Sequence, residues 1–212
     1  MLIGGSFVKK QIAIFIIIIF AATFFVACDT SRSDANQNDQ ADHVSSMCVI
    51  DAIMSSYSCR SFGKGVVPDE IIEILLNAGQ KAPSAGNAQP WHFTVIKNTE
   101  IAQQVAPRHY AEGALVIVIS GKPDARRPNV EIFDSASASQ NIYLAAQAFG
   151  LGVRQYINGV QEVNDNMRES LGIPEGYNAI IIMMIGYPDY GPDAISTASP
   201  RRPVESNVNF ID

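Results

Sequence analysis

Residues 43–212 predict a sandwich of the α/β or α+β class built on one sheet. Two near-continuous apolar runs, 114–120 and 178–186, have the composition of strands buried on both faces. Segments with helical apolar spacing separate them from shorter strand-like stretches. Helices alternate with strands along the whole region, which places layers of helix against a single sheet.

In chain order, Val49, Ile50, Ile53 and Met54 follow a helical period that ends by Ser58. Residues 59–67 read as a loop. Pro68 suits a first helical position, and Ile71, Ile72, Leu75, Leu76 and Ala78 give the next helix a broad apolar face. A strand over 93–97 and a short helix over 101–106 precede the 114–120 strand. A polar loop, 121–131, leads to a helix over 132–149. Ser135, Ala136, Ser137, Ala138, Ser139, Ala145, Ala146 and Ala148 keep that helix thin, so another helix or subunit can approach it. Gly150-Leu151-Gly152 terminates it, a strand resumes over 153–157, and 161–171 reads as a helix stopped by Gly172 and Pro174.

Residues 82–93 are the stretch around which the region is organised. Pro83 and Pro90 forbid helix, Gly86 is free of Cβ limits, and Ser84, Asn87 and Gln89 supply polar groups. Such a loop admits a flat ligand to the backbone. A helix-to-strand turn without a ligand has the same composition.

The N-terminus is of another kind. Lys9-Lys10, an apolar run over 12–26 broken only by Thr23, and Ala27-Cys28 have the order of a secretory signal with a small-residue cleavage site. The run is short of the ~20 residues that span a bilayer as a helix. Val26-Ala27-Cys28 resembles the lipobox of bacterial lipoproteins, in which the cysteine is acylated, although Phe25 departs from the usual leucine. An uncleaved signal anchor would keep the tether and lose the lipid. The expected organisation is a signal peptide over 1–27, lipidated Cys28 with a disordered tether over 28–42, and a folded domain over 43–212. The location is then an exported, membrane-anchored lipoprotein of a bacterial cell envelope. The tether is polar, with Asp29, Asp34, Asp39 and Asp42 against Arg32, and cannot bury enough surface to offset its chain entropy.

The domain retains 12 of the 15 basic and 17 of the 21 acidic residues, a net charge of −5. With no basic stripe, nucleic acid is excluded as a partner. Cys48 and Cys59 lie in no metal or redox spacing, so no metal site is expected. An exported location permits a disulfide between them, but two free thiols are expected, because a core of this size needs no staple. There is no P-loop, no H-E-x-x-H and no G-x-S-x-G elbow. Gly150-Leu151-Gly152 follows a helix and has Gln155 where a dinucleotide fingerprint needs glycine. His92 alternates along a strand as a structural residue, and His109 stands alone. The last 25 residues combine Pro188, Pro192, Pro200 and Pro203 with apolar Val204, Val208, Phe210 and Ile211, a tail suited to a surface on a partner subunit. Ser58, Arg60, Ser84, Asn87, Gln89, Arg154 and Arg201-Arg202 each read singly as solvated or turn residues, but two arginine sites in an acidic domain, together with exposed backbone N–H groups in loops, suit a phosphate with a polar chain and a flat ring.

Ser58-Cys59-Arg60-Ser61-Phe62, the 82–93 block, the 141–152 helix ending in Gly-Leu-Gly, Ile185-Gly186-Tyr187-Pro188 and Arg201-Arg202-Pro203 occur in that order. In this the chain resembles the nitroreductase family from about 48 to 203. The resemblance implies an α+β sandwich with a mostly antiparallel central sheet flanked by helices and a C-terminal tail that extends to the partner subunit. It implies a homodimer that holds FMN at its interface. Hydride would pass from NADH or NADPH to a nitroaromatic, a quinone or a similar small-molecule acceptor by a ping-pong mechanism. Ser58 and Arg60 match positions at the FMN phosphate, ribityl or pyrimidine end, Arg60 being the leading candidate for the pyrimidine. Pro83, Ser84 and Asn87 match the loop that the partner lays against the flavin. Gly152, Val153 and Arg154 match the strand start beside the ring, and Arg201 or Arg202 the phosphate clamp. No catalytic side chain is assigned, because hydride chemistry resides in the flavin.

Two departures stand out. Ser56 occupies a position where the family usually has arginine, a lost phosphate contact worth about 1.5–3 kcal/mol. The 121–131 loop is short where other members carry a helical insertion. Alternatives are an FMN-dependent dehydrogenase or oxygen-dependent enzyme on another small metabolite, and a non-catalytic flavin-binding lipoprotein.

Overall fold

A computed structural model describes residues 49–107, 110–189 and 201–211. The apolar run, Cys28, the tether, Cys48, His109, Pro192 and Pro200 lie outside the described residues. Helix α1 covers residues 49–55. It is followed by α2 (Asp69–Gln80), β1 (Trp91–Ile96), α3 (Thr99–Val105), β2 (Leu115–Gly121), α4 (Val130–Ala148), β3 (Gly152–Tyr156) and β4 (Asn178–Gly186). Every strand pair is antiparallel, in the order β1-β2-β4-β3, so the fold class is α+β.

The apolar runs are two-faced, as their composition requires. Along β2, Leu115, Ile117 and Ile119 enter one core with Leu75, Ile142, Val153 and Met183. Val116 and Val118 alternate to the opposite core with Ile96, Val105, Val163 and Ile182. Helices α2 and α4 cover the first face. Gly79 brings them together: a Cβ there would stand 2.9 Å from Ile142 Cδ1. Asn141 Nδ2 adds a hydrogen bond to the Ala78 carbonyl at 3.0 Å. The thin helix expected from its alanines and serines is therefore the central one.

Boundaries shift by a residue or two from the expected ones. Pro68 sits outside α2, with an extended backbone (ψ 148), and the acidic first turn Asp69-Glu70 suits the positive end of the helix dipole. Asn98 caps α3 by accepting from the Ile101 N–H at 3.0 Å. The expected helix over 161–171 is corrected. One α-turn, Val160–Glu162, widens into a π-turn, Val163–Met167, and breaks into turns. From that stretch Asn164 pairs reciprocally with the backbone of Ala179, at 3.1 and 2.7 Å, next to the irregularity between Ile119 and Ser120. A tertiary pairing outweighs the regular helical ladder there. Gly172, at φ +63, ends the stretch as expected.

Candidate functional site

The expected site residues fall at two corners of the sheet. At the first, Ser58 forms a parallel bridge with Val153 at the start of β3, and the Cys59 N–H donates to the Val153 carbonyl at 2.9 Å. Gly152 makes this approach possible, because a Cβ there would stand 2.5 Å from Cys59 Sγ. Tyr143 on α4 donates its hydroxyl to the Tyr57 carbonyl and holds the same segment from below. Burial pushes the Cys59 thiol up, against a smaller opposing effect of its backbone hydrogen bond at Ser61 and of the Arg154 charge. Burial also raises Tyr143, while its contact with Ser56 and the Arg201 charge pull it back. Tyr156, on the same face of β3 as Arg154, is pushed up to about 12 by burial against the arginine's opposing charge.

The charges of Arg154 and Arg201 are felt at this corner. Arg154 acts on Cys59 and Tyr156, Arg201 acts on Tyr143, and Arg60 directly follows Cys59. None of Arg60, Arg154, Arg201 and Arg202 takes part in an ion pair among the described residues, whose four ion pairs use other cations. A set of cations without carboxylate partners suits an external anion. Ser58 is exposed beside them. Ser56, where the family arginine is missing, turns its hydroxyl to the Ile53 carbonyl at 2.8 Å.

Pro83, Ser84 and Asn87 occupy the other corner. Their loop is not a set of free polar groups. The Gln89 N–H donates to Ser84 Oγ at 3.0 Å, the Asn87 N–H to the Ser84 carbonyl at 3.0 Å, and Gln89 Nε2 to Asn87 Oδ1 at 3.1 Å. Gly86, Asn87 and Gln89 all have positive φ, which only glycine adopts without cost. Outside contacts over-determine that backbone. The buried Asp134 carboxylate accepts from the Ala85 N–H at 3.1 Å, and Arg127 Nη1 donates to the Ala85 carbonyl at 2.9 Å. Trp91 Nε1 donates to Gln80 Oε1 at 3.0 Å and fixes the exit into β1.

Register sets the distance between the corners. Trp91 aligns through Gly121 with Asn178, at the start of β4, whereas Val153 aligns with Ile185, seven residues further on and on the opposite edge. That is roughly 23 Å along the strands and roughly 14 Å across them. One chain brings Ser58, Arg60, Gly152, Val153, Arg154 and Arg201 together and leaves Pro83, Ser84 and Asn87 at the far corner. Sequence reasoning missed Tyr143, Asp134 and Arg127 because their partners lie 42 to 86 residues away. Asp134, one of two acidic residues in the first turns of a helix rich in small residues, was the one local signal.

A four-stranded antiparallel sheet packed with helices defines the architectural class as α+β. The nitroreductase family pattern matches residues 53–114 and 107–187, and the chain belongs to that family. It is 32% identical over 167 residues to a Methanothermobacter thermautotrophicus protein that carries the name "Putative NADH dehydrogenase/NAD(P)H nitroreductase", covering 75% of this chain and 87% of the other. It is 30% identical to the Vibrio harveyi NADPH-flavin oxidoreductase, covering 76% and 72%. Its fold is similar to that of a Bacteroides fragilis nitroreductase with bound FMN, at a TM-score of 0.63 and 22% identity, over 77% of this chain and 98% of that one.

Proposed function

We propose that two copies of this chain enclose FMN and act as an oxidoreductase that moves hydride from NADH or NADPH to a nitroaromatic, quinone or similar small acceptor. The observation that carries this reading is the cationic corner: arginines with no ion pair among the described residues, gathered at a strand start in a domain of net charge −5. Names carried by relatives support it, since one pairs a nicotinamide donor with nitro reduction and another pairs NADPH with flavin.

The donor set fits riboflavin phosphate. Arg201 or Arg202 would hold the phosphate, Ser58 the ribityl chain and Arg60 the pyrimidine edge, where a fixed positive charge favours the electron-rich reduced ring. Gly152, Val153 and Arg154 would form the wall beside the ring. Bound FMN supplies the hydride chemistry, which is why the chain needs no acid-base dyad. Pro83, Ser84 and Asn87 would close the site from the partner, held in place by Asp134 and Arg127. Donor and acceptor would occupy the one open face in turn.

The tail supports a dimer. Val204, Phe210 and Ile211 are 69%, 90% and 97% exposed, an apolar surface that one chain leaves uncovered. Ser56 would weaken the phosphate grip by one charged contact. Lys9-Lys10, the apolar run over 12–26 and Val26-Ala27-Cys28 support an assembly outside the cytoplasm, tethered through a lipidated Cys28. Anaerobic addition of NADH or NADPH to the FMN-loaded protein is expected to bleach its visible absorbance, and added quinone to restore it. Absorbance unmoved by both donors would exclude hydride transfer from nicotinamide.

A further inference from the structure

The first turns of α4 carry three buried polar side chains, Glu131, Asp134 and Ser135. They crowd the end of β2, where a Cβ on Gly121 would stand 3.0 Å from Ser135 Oγ and 3.2 Å from Glu131 Cβ. Glu131 Oε2 and Ser135 Oγ are sealed from solvent without a hydrogen-bond partner among the described residues. Asp134 does have one: its two carboxylate oxygens accept from the Ala85 N–H, at 3.1 and 3.3 Å.

That hydrogen bond is a poor device for holding a fold together. The helix dipole favours an acid in the first turn, which Glu131 already occupies, and Asp134 lies further in. A second carboxylate three residues along the same helix repels the first. A buried carboxylate that meets a backbone N–H and no cation recovers little of its lost hydration. What the bond does hold is the loop. Residues 86–89 are exposed in the single chain, so packing does not fix them, yet Gly86, Asn87 and Gln89 lie at φ +63, +54 and +46. Strain of that kind persists where outside contacts over-determine the backbone, and it gathers at ligand sites. Arg127 ties the Ala85 carbonyl, so both polar groups of one peptide residue are held, and Asp134 is the buried strap of the two.

We infer that Asp134 is a positioning residue that acts across the dimer: it shapes the loop that completes the flavin site of the other chain and leaves the site of its own chain untouched. The inference rests on the reading under "Proposed function", which lays this loop against the partner's flavin. Strand order supports the separation, since the corner with Arg60 in the same chain lies by the opposite edge of the sheet. Ser84 and Asn87 then meet the partner's ring in a conformation set before the ring arrives, and that preorganisation strengthens binding.

In the full-length dimer, Asp134→Ala is expected to weaken FMN binding about tenfold, as loss of a charged hydrogen bond does. Equilibrium dialysis measures it, and undiminished affinity overturns the inference. Mixing then reads which chain's site is damaged. Co-refolded in equal amounts with Arg60→Ala, the variant should regain wild-type affinity at about a quarter of all sites, because each mixed dimer has one site with Arg60 and the loop both intact. Co-refolded with Ser84→Asp, whose damage lies in the same loop, it should regain none. Recovery with Ser84→Asp and none with Arg60→Ala would mean that Asp134 serves its own chain's site, and overturns the inference. Recovery with both, or with neither, overturns it too. If alanine at this position prevents folding, Asp134→Asn takes its place in the same mixtures and is read in the same way. Wild-type protein that binds no FMN sinks instead the functional reading on which the inference rests.

Discussion

Alanine at Arg60 is expected to yield a folded protein that has lost most of its FMN. Arg60 is exposed and has no ion pair among the described residues, so its removal leaves no buried charge unpaired and opens no core cavity. What it removes is a charged contact to the ligand, worth about 1.5–3 kcal/mol. That is roughly a tenfold to hundredfold loss in affinity. Equilibrium dialysis against FMN measures it, and thermal unfolding of the apoprotein should match wild type. Unchanged affinity would remove Arg60 from the site. An unfolded variant would show instead that the 57–62 segment depends on this side chain for its docking on Val153.

Ending the chain after Pro203 is expected to turn a dimer into a monomer. The deletion removes Val204, Val208, Phe210 and Ile211, all exposed in the single chain. Burying a large apolar side chain fully contributes about 1.5–3 kcal/mol. Phe210 and Ile211 alone would then account for about 3–6 kcal/mol, a weakening of dimerisation of roughly 100-fold or more. Sedimentation at micromolar concentration reads this directly. A truncated chain that stays dimeric would mean that other exposed apolar groups, such as Phe133 on α4, carry the interface. Flavin content should fall with the dimer, since each site would lose the partner's loop.

The parts of the fold written in local pattern were legible. The strand over 178–186 is found over those residues because its apolar run has no competing period. The helix expected over 132–149 runs from Val130 to Ala148. The stretch over 161–171 was misread because its geometry answers to Ala179, on a strand with which it has no local relation. Composition placed polar groups in the 82–93 loop, but it could not show that Asp134 and Arg127 strap them down from 42 to 49 residues away. The separation of the two half-sites was likewise invisible. It follows from the strand order β1-β2-β4-β3, which puts β1 and β3 on opposite edges.

The shared site is tested most directly by mixing two damaged chains, Arg60→Ala and Ser84→Asp, each expected to be nearly flavin-free as its own dimer. If one protomer supplies Arg60 and its partner supplies Ser84, each mixed dimer contains one site with both residues intact, and about a quarter of all sites regain FMN in a random mixture. Bound flavin after co-refolding, read by visible absorbance of the dimer fraction, is the measurement. Recovery near that level is the predicted result. Mixed dimers as colourless as either parent would contradict a site built from two chains.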